Sequence, residues 1–370
     1  MDMYIYSCTV YKIERALFFH MRVLVGIIIS WLTTTADGCT NFIMDDAYGL
    51  SVRTLDLGIG PKFGLRTQPK GHALHGLQPL PPATFGHIIS FGTNVSSVPN
   101  PDPDIAAAGL NEAGLSCDVH TLLNSSYPPA DPHQPSKNLN LLYFCNWALG
   151  QHASVRSVKA ALTASEVHLW GDASTEANGF HFIVRDATGT GLVVEFMDRA
   201  TKLYDDLNDG VKGVGVFTNE PPFPWQLANV AHYRWKQSLA RPATAMPGAW
   251  YPDERFLRTY LVKSSMPTPR SYQEAIQHAL HALNTVTVPM GQQMGTDSGF
   301  GEGNGDHTHY GVIYDHKQRI LYWRHQSNLQ LERVRLADVL GSSSPLTLPM
   351  VNDLPFFQDA ASKFERRDEL

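Results

Sequence analysis

Apolar positions fall in short runs divided by turn residues at both ends of the chain, with helical blocks between and after them. Residues 40–44 and 49–55 flank Asp45-Asp46-Ala47-Tyr48 and predict a hairpin. Residues 87–91 predict a short buried strand, 97–104 a loop rich in Pro and Asp, and 105–119 a second hairpin turning at Asn111-Glu112. Residues 180–185 and 191–197 pair around Asp186-Ala187-Thr188-Gly189. A strand follows at 214–218, and a late hairpin joins 310–314 to 320–324. Residues 139–150 are apolar enough for a buried helix. Residues 154–162 are amphipathic with Ser154 as N-cap, and in 271–283 Ser271 and Glu274 have capping-box spacing. No repeat or linker run divides the chain. The pattern predicts an α+β fold, with antiparallel sheets covered by helices.

One apolar run fits none of these elements. Met21-Arg22 opens it, residues 23–32 continue it, and Thr33-Thr34-Thr35-Ala36-Asp37-Gly38 closes it. A charged start, an apolar stretch of secretory length and small residues at −3 (Ala36) and −1 (Gly38) predict cleavage before Cys39. The residues before Met21 resemble no targeting signal, so either translation starts at Met21 or the leader has a long n-region. A lipoprotein signal also ends before a cysteine, but Ala36-Asp37-Gly38 lacks the aliphatic −3 residue and carries a charge. As a first residue, Cys39 holds a thiol and a free α-amine together. That amine titrates near about 7.7–8.0 in free peptides, so nucleophile and general base come on one residue.

The 370 residues are 43% hydrophobic and 17% charged, with a net charge of −6. Scattered Lys and Arg argue against nucleic-acid binding, and the leader is too short for a confident bilayer span. Of four cysteines, Cys8 leaves with the leader. Cys117 and Cys145 either pair, leaving Cys39 over, or are small buried hydrophobes. Asn94-Val95-Ser96 and Asn124-Ser125-Ser126 are glycosylation sequons if the host is eukaryotic. The terminal Arg367-Asp368-Glu369-Leu370 resembles an ER-retrieval signal. The glycine-rich 300–305 lacks a phosphate-loop Lys, and His278 and His281 lack metal-site companions. The residues around Cys39 also lack the papain signature.

Amide hydrolysis by Cys39 needs charges that organise the nucleophile, oxyanion donors and an acyl pocket. Arg53 and Asp56 lie one hairpin away, where a guanidinium would favour thiolate and a carboxylate would orient the amine. Asn219, after a strand and before Glu220-Pro221-Pro222, suits an oxyanion donor or simply a turn. Arg255 is either a second cation or a helix-surface residue.

Taken in order, these segments resemble the choloylglycine hydrolase family of penicillin V acylases and bile salt hydrolases. Cys39-Thr40 matches its mature start, and Arg53-Thr54-Leu55-Asp56 its Arg-x-x-Asp element. Residues 109–115 match its Gly-Met-Asn-Glu-x-Gly-Leu turn, and 217–225 its Leu-Thr-Asn-x-Pro-x-Phe-x-Trp element. Pro247-Gly248-Ala249 and Glu254-Arg255-Phe256-Leu257-Arg258 together match its Pro-Gly-Asp…Ser-Arg-Phe-x-Arg stretch, and 308–315 its penultimate strand pattern. The resemblance implies a four-layer αββα sandwich spanning 39–345, after a leader (1–38) and before a tail (346–370). It implies assembly as a homo-oligomer, usually a tetramer. It assigns Cys39 as nucleophile and base, Arg53 and Asp56 as organisers, Asn219 as oxyanion donor and Arg255 as supporting charge, with no metal or cofactor. Where the family often has a pocket Asn or Tyr, this chain has Thr121, with Asn124 as a substitute after a small slip.

The expected protein is a secreted or periplasmic hydrolase, or an ER-lumenal one if the C-terminal signal operates. It would cut a linear amide between an apolar acyl group and a small polar amine. Conjugated bile salts, penicillin V and N-acyl homoserine lactones all qualify. The competing classes are an inactive secreted ligand-binding protein on the same fold and a lipid-anchored envelope protein. The joint presence of Cys39, Arg53, Asp56, Asn219 and Arg255 argues against the first.

Overall fold

The computed structural model describes residues 38–361 apart from 45–46, 58–61, 74–80, 95–101, 103, 173–174, 176–178, 206–213, 239–245, 291–306 and 352. Residues 1–37 of the leader, most of the 97–104 loop, residues 95–96 of the first sequon, the glycine-rich 300–305 and the C-terminal tetrapeptide lie outside the described residues.

The strands are β1 (Thr40–Ile43), β2 (Leu50–Leu57), β3 (Lys62–Gln68), β4 (His87–Asn94), β5 (Ala108–Asn111) and β6 (Ser116–Thr121). A short β7 (Asn138–Asn140) then leads through a 3-10 turn into α1 (Phe144–Gln151), followed by α2 (Val155–Thr163). Next come β8 (His168–Trp170), β9 (Phe180–Arg185), β10 (Gly191–Met197), β11 (Ala200–Asp205) and β12 (Val216–Phe217). Three helices, α3 (Phe223–Ser238), α4 (Pro252–Ser265) and α5 (Tyr272–Val286), precede β13 (His307–Asp315), β14 (Ile320–His325) and β15 (Asn328–Arg335). A single turn, α6 (Leu336–Val339), and β16 (Thr347–Pro349) are the last elements among the described residues.

Two antiparallel sheets result. One has six strands in the order β12-β1-β2-β13-β14-β15, the other eight in the order β11-β10-β9-β6-β5-β4-β3-β16. Strand alternation sorts the side chains into three packed layers. On β2, Leu50 and Val52 join Phe223, Phe256 and Leu283 under α3, α4 and α5. Leu55 and Leu57 point the other way, into the layer shared with Leu65, Ile88 and Leu110 of the second sheet. Cys117, Phe182 and Val184 on that sheet's outer face pack under α1 and α2 with Phe144 and Val158. The architecture is therefore helix, sheet, sheet, helix, as expected.

Several boundaries differ from the periodicity. The buried helix expected over 139–150 starts only at Phe144, because 138–140 pair in parallel with β8 and Asn140 caps the Leu142 N–H at 3.0 Å. The 214–218 strand contracts to Val216–Phe217, with Gly215 at φ +55° before it. Residues 347–349, placed in the tail by the sequence reading, pair with β3. Ser154 and Ser271 cap α2 and α5 as expected, accepting from Ser157 N and Glu274 N.

Candidate active site

Cys39 sits at the edge of β1, with Gly38 preceding it, and is 2% exposed. It lies outside any disulfide, whereas Cys117 and Cys145 are bonded to each other. β1 lies between β2 and β12 in its sheet. Arg53 pairs with Asn41 on β2, and Phe217 pairs with Asn41 from β12. Asn219, two residues past Phe217, therefore comes beside Cys39. Its Oδ1 accepts the Cys39 backbone N–H at 2.6 Å.

Arg255, on α4, reaches the same point from the helical layer. Its Nη1 donates to the Cys39 carbonyl at 2.8 Å and to Thr40 Oγ1, and its Nη2 to Asn219 Oδ1 at 3.3 Å. The guanidinium lies 3.6 Å from Asp56 Oδ2. It is fully buried, so the surface alternative for Arg255 is excluded. Asp56 also accepts from Thr308 Oγ1 at 2.6 Å and Thr54 Oγ1 at 3.2 Å, while Thr54 Oγ1 accepts from Thr40 N. Burial pushes the Asp56 carboxyl up to about 6, against the pull of Arg255 and the two threonines.

Arg53 faces the opposite layer, between the sheets. It donates to Tyr310 Oη at 2.8 Å and the Val119 carbonyl at 2.9 Å, and lies 3.6 Å from Asp118. Burial alone would lower its basicity, but Tyr310, Asp118 and the Cys39 thiol raise it above its ordinary value. That coupling is reciprocal: a fixed guanidinium favours the thiolate of Cys39.

Thr121 belongs to this cluster. Its carbonyl and Oγ1 accept from Asn219 Nδ2 at 2.8 and 2.9 Å. Asn124 lies apart, exposed at φ +67° in the turn after β6. In this arrangement the Asn219 amide hydrogens are both engaged with Thr121, and its Oδ1 serves the Cys39 nitrogen. A donor role toward substrate requires one Thr121 bond to yield.

Sequence reasoning missed Asp118, Tyr310, Thr54 and Thr308. The signal for Asp118 was a carboxylate on the inward parity of a buried strand. Thr308 and Tyr310 lay inside a quoted stretch but bore no role until the β2–β13 register was known.

The sequence model of the linear amide C–N hydrolases, choloylglycine hydrolase family, matches residues 39–347. The chain is 25% identical over 251 residues to an uncharacterized protein of Paramecium bursaria Chlorella virus 1, covering 65% of this chain and 88% of the relative. It is 25% identical over 266 residues to the bile salt hydrolase/transferase of Clostridium perfringens, covering 67% and 76%. Penicillin V acylase from Agrobacterium tumefaciens superposes with a TM-score of 0.68 at 21% identity, covering 84% of this chain and 91% of that one, a likeness of fold. The chain belongs to the choloylglycine hydrolase family of linear amide C–N hydrolases.

Proposed function

We propose that the mature chain begins at Cys39 and hydrolyses a linear amide joining an apolar acyl group to a small polar amine. The observation that carries this is the contact between the Cys39 nitrogen and buried Asn219 Oδ1. Once the chain is cut there, that nitrogen is an α-amine with a fixed acceptor. In the proposed reaction the amine takes the thiol proton as sulfur attacks the amide carbonyl. Arg53 favours the thiolate, while Arg255 and Asp56 hold the Cys39 main chain. Asn219, releasing one Thr121 bond, donates to the oxyanion. The ammonium then protonates the leaving nitrogen and the C–N bond breaks, leaving a thioester. Water attacks that thioester as the amine accepts its proton, the C–S bond breaks to release the carboxylic acid, and the ammonium returns its proton to the sulfur.

The names of the relatives point toward conjugated bile acids and penicillin V, and N-acyl homoserine lactones share the same chemistry. The buried Cys117–Cys145 bond supports an oxidising location, secreted or periplasmic, with the ER lumen as the alternative. Assembly as a homo-oligomer is part of the same proposal.

The test is a panel of these amides offered to the mature protein and to Cys39→Ala. Turnover of one class by the wild type, lowered on the order of 10⁴-fold or more in the variant, is the expected result. Equal hydrolysis by both proteins would contradict the mechanism.

A further inference from the structure

Behind Asn219 the two sheets enclose three buried polar side chains that this mechanism does not use. His120 on β6 pairs with His181 on β9, and His181 Nδ1 meets Glu195 Oε1 on β10 at 3.2 Å. The residues are 1%, 1% and 0% exposed. Placing such groups side by side in an apolar layer is costly unless they hold something.

What they hold is a single segment, gripped at both ends. The Phe217 ring lies 4.7 Å from the His120 ring and 4.3 Å from the His181 ring, centroid to centroid. His120 also interacts with the Thr218 backbone, although neither ring nitrogen completes a hydrogen bond of regular geometry. At the other end Glu195 Oε1 accepts the N–H of Phe223, the first residue of α3, at 2.9 Å. Residues 218–222 span the interval and carry Asn219. From inside the helix Gln226 Nε2 ties back to Thr218 Oγ1 at 3.2 Å and to the Glu220 carbonyl at 2.8 Å. On β6, the residue after His120 is Thr121, the partner of Asn219 Nδ2.

We infer that the Glu195–His181–His120 row positions Asn219, and through it aims the carbonyl that receives the Cys39 amine. The inference rests on the mechanism proposed above. Glu195 Oε1 faces His181 Nδ1, which assigns the His181 proton to that nitrogen. Burial first, and then the fields of Arg53, His181 and Arg255, hold the His120 pKa well below the ordinary histidine value. His120 is therefore a neutral imidazole that adds no third cation to the site. These three are positioning residues, and their effect passes through Asn219.

The experiment compares His120→Leu with His120→Gln, and Glu195→Ala with Glu195→Gln, in mature protein. Melting temperature, kcat, KM and the pH dependence of Cys39 alkylation are read for each. His120→Leu keeps bulk but removes the polar ring beside the Thr218 backbone, and Glu195→Ala removes the acceptor of the Phe223 N–H. They are expected to lower kcat on the order of 10- to 100-fold, with KM within about twofold. Their alkylation profile shifts, because the partner of the amine has moved. Glu195→Gln keeps an oxygen for the Phe223 N–H and His120→Gln keeps a polar group beside Thr218, so both retain most of the activity and the wild-type profile. Should His120→Leu fail to fold, the Glu195 pair carries the same comparison.

Folded leucine or alanine variants with unchanged kcat and profile would overturn the inference. Glutamine variants as damaged as their apolar counterparts would also overturn it, since packing alone would then explain the row. If the wild type shows no Cys39-dependent turnover, the mechanism fails, and the alkylation profiles alone still decide whether the row sets the geometry at Cys39.

Discussion

Under the proposed mechanism, catalysis and folding ask opposite things of the Asp56 carboxyl. To pair with Arg255 it must be ionised, yet burial raises it from 3.8 to about 6. Activity should therefore fall as pH drops through about 6. Stability runs the other way for this group. A carboxyl whose folded pKa lies above its ordinary one favours the folded state while protonated, and that contribution is lost as pH rises from 3.8 through about 6. Rate profiles and melting temperatures of wild type and Asp56→Asn check both signs, the variant lacking this component of the stability slope. A wild-type rate that stays level through this window would show that the Asp56 charge is not needed. At this scale the sequence was legible where site residues share a short segment, as Arg53 and Asp56 do. Asp118 and Tyr310 meet Arg53 only because β13 pairs beside β2 in one sheet and β6 faces it from the other, and no local spacing encodes that.

Among the elements, the 109–115 turn gains an explanation that is mechanical rather than catalytic. Asn111 Oδ1 accepts from Ala113 N and Leu115 N, while its Nδ2 donates to the carbonyls of Leu149 and His152 at the end of α1. Gly109 leaves room for Leu149, whose Cδ1 would lie 2.5 Å from an added Cβ. Gly114 has φ +93°, and a Cβ there would meet the His316 carbonyl oxygen at 2.2 Å. The turn docks α1 on its sheet. Asn111→Ala, which strands buried helix-end carbonyls, should cost about 1–3 kcal/mol, and Gly114→Ala about 2–4 kcal/mol. Urea unfolding measures both, and unchanged midpoints would remove the turn from the stability account. The Cys117–Cys145 bond joins β6 to α1 in the same layer. Its removal in the double alanine variant should cost about 2–4 kcal/mol, read from the same unfolding curves.

For the whole molecule, polar bolts tie the sheets together where their apolar layer would otherwise be smooth. Asn41 and Tyr314 on one sheet both donate to Asp118 on the other, at 2.7 and 2.6 Å, and Tyr310 meets Ser90 across the gap at 2.8 Å. The hairpins β1–β2, β5–β6, β9–β10 and β13–β14 were legible because both of their faces are buried, which writes long apolar runs, whereas in β3 only Phe63 and Leu65 are large and apolar and the strand went unread. β11 and β15 lie at sheet edges, half-buried or exposed along most of their length, so their composition carries little strand signal. α3 escaped notice because it starts inside the Pro221-Pro222-Phe223-Pro224 run and exposes Trp225 and Trp235. The sandwich is thus assembled around Cys39, whose proposed chemistry depends on a cut.

That cut is what to measure: the intact mass and N-terminal sequence of the mature protein from the cells that make it, together with its amidase activity. The account predicts an active chain whose first residue is Cys39, with an unmodified amine. An active chain that begins upstream of Cys39, or carries an acyl group on that amine, would contradict it.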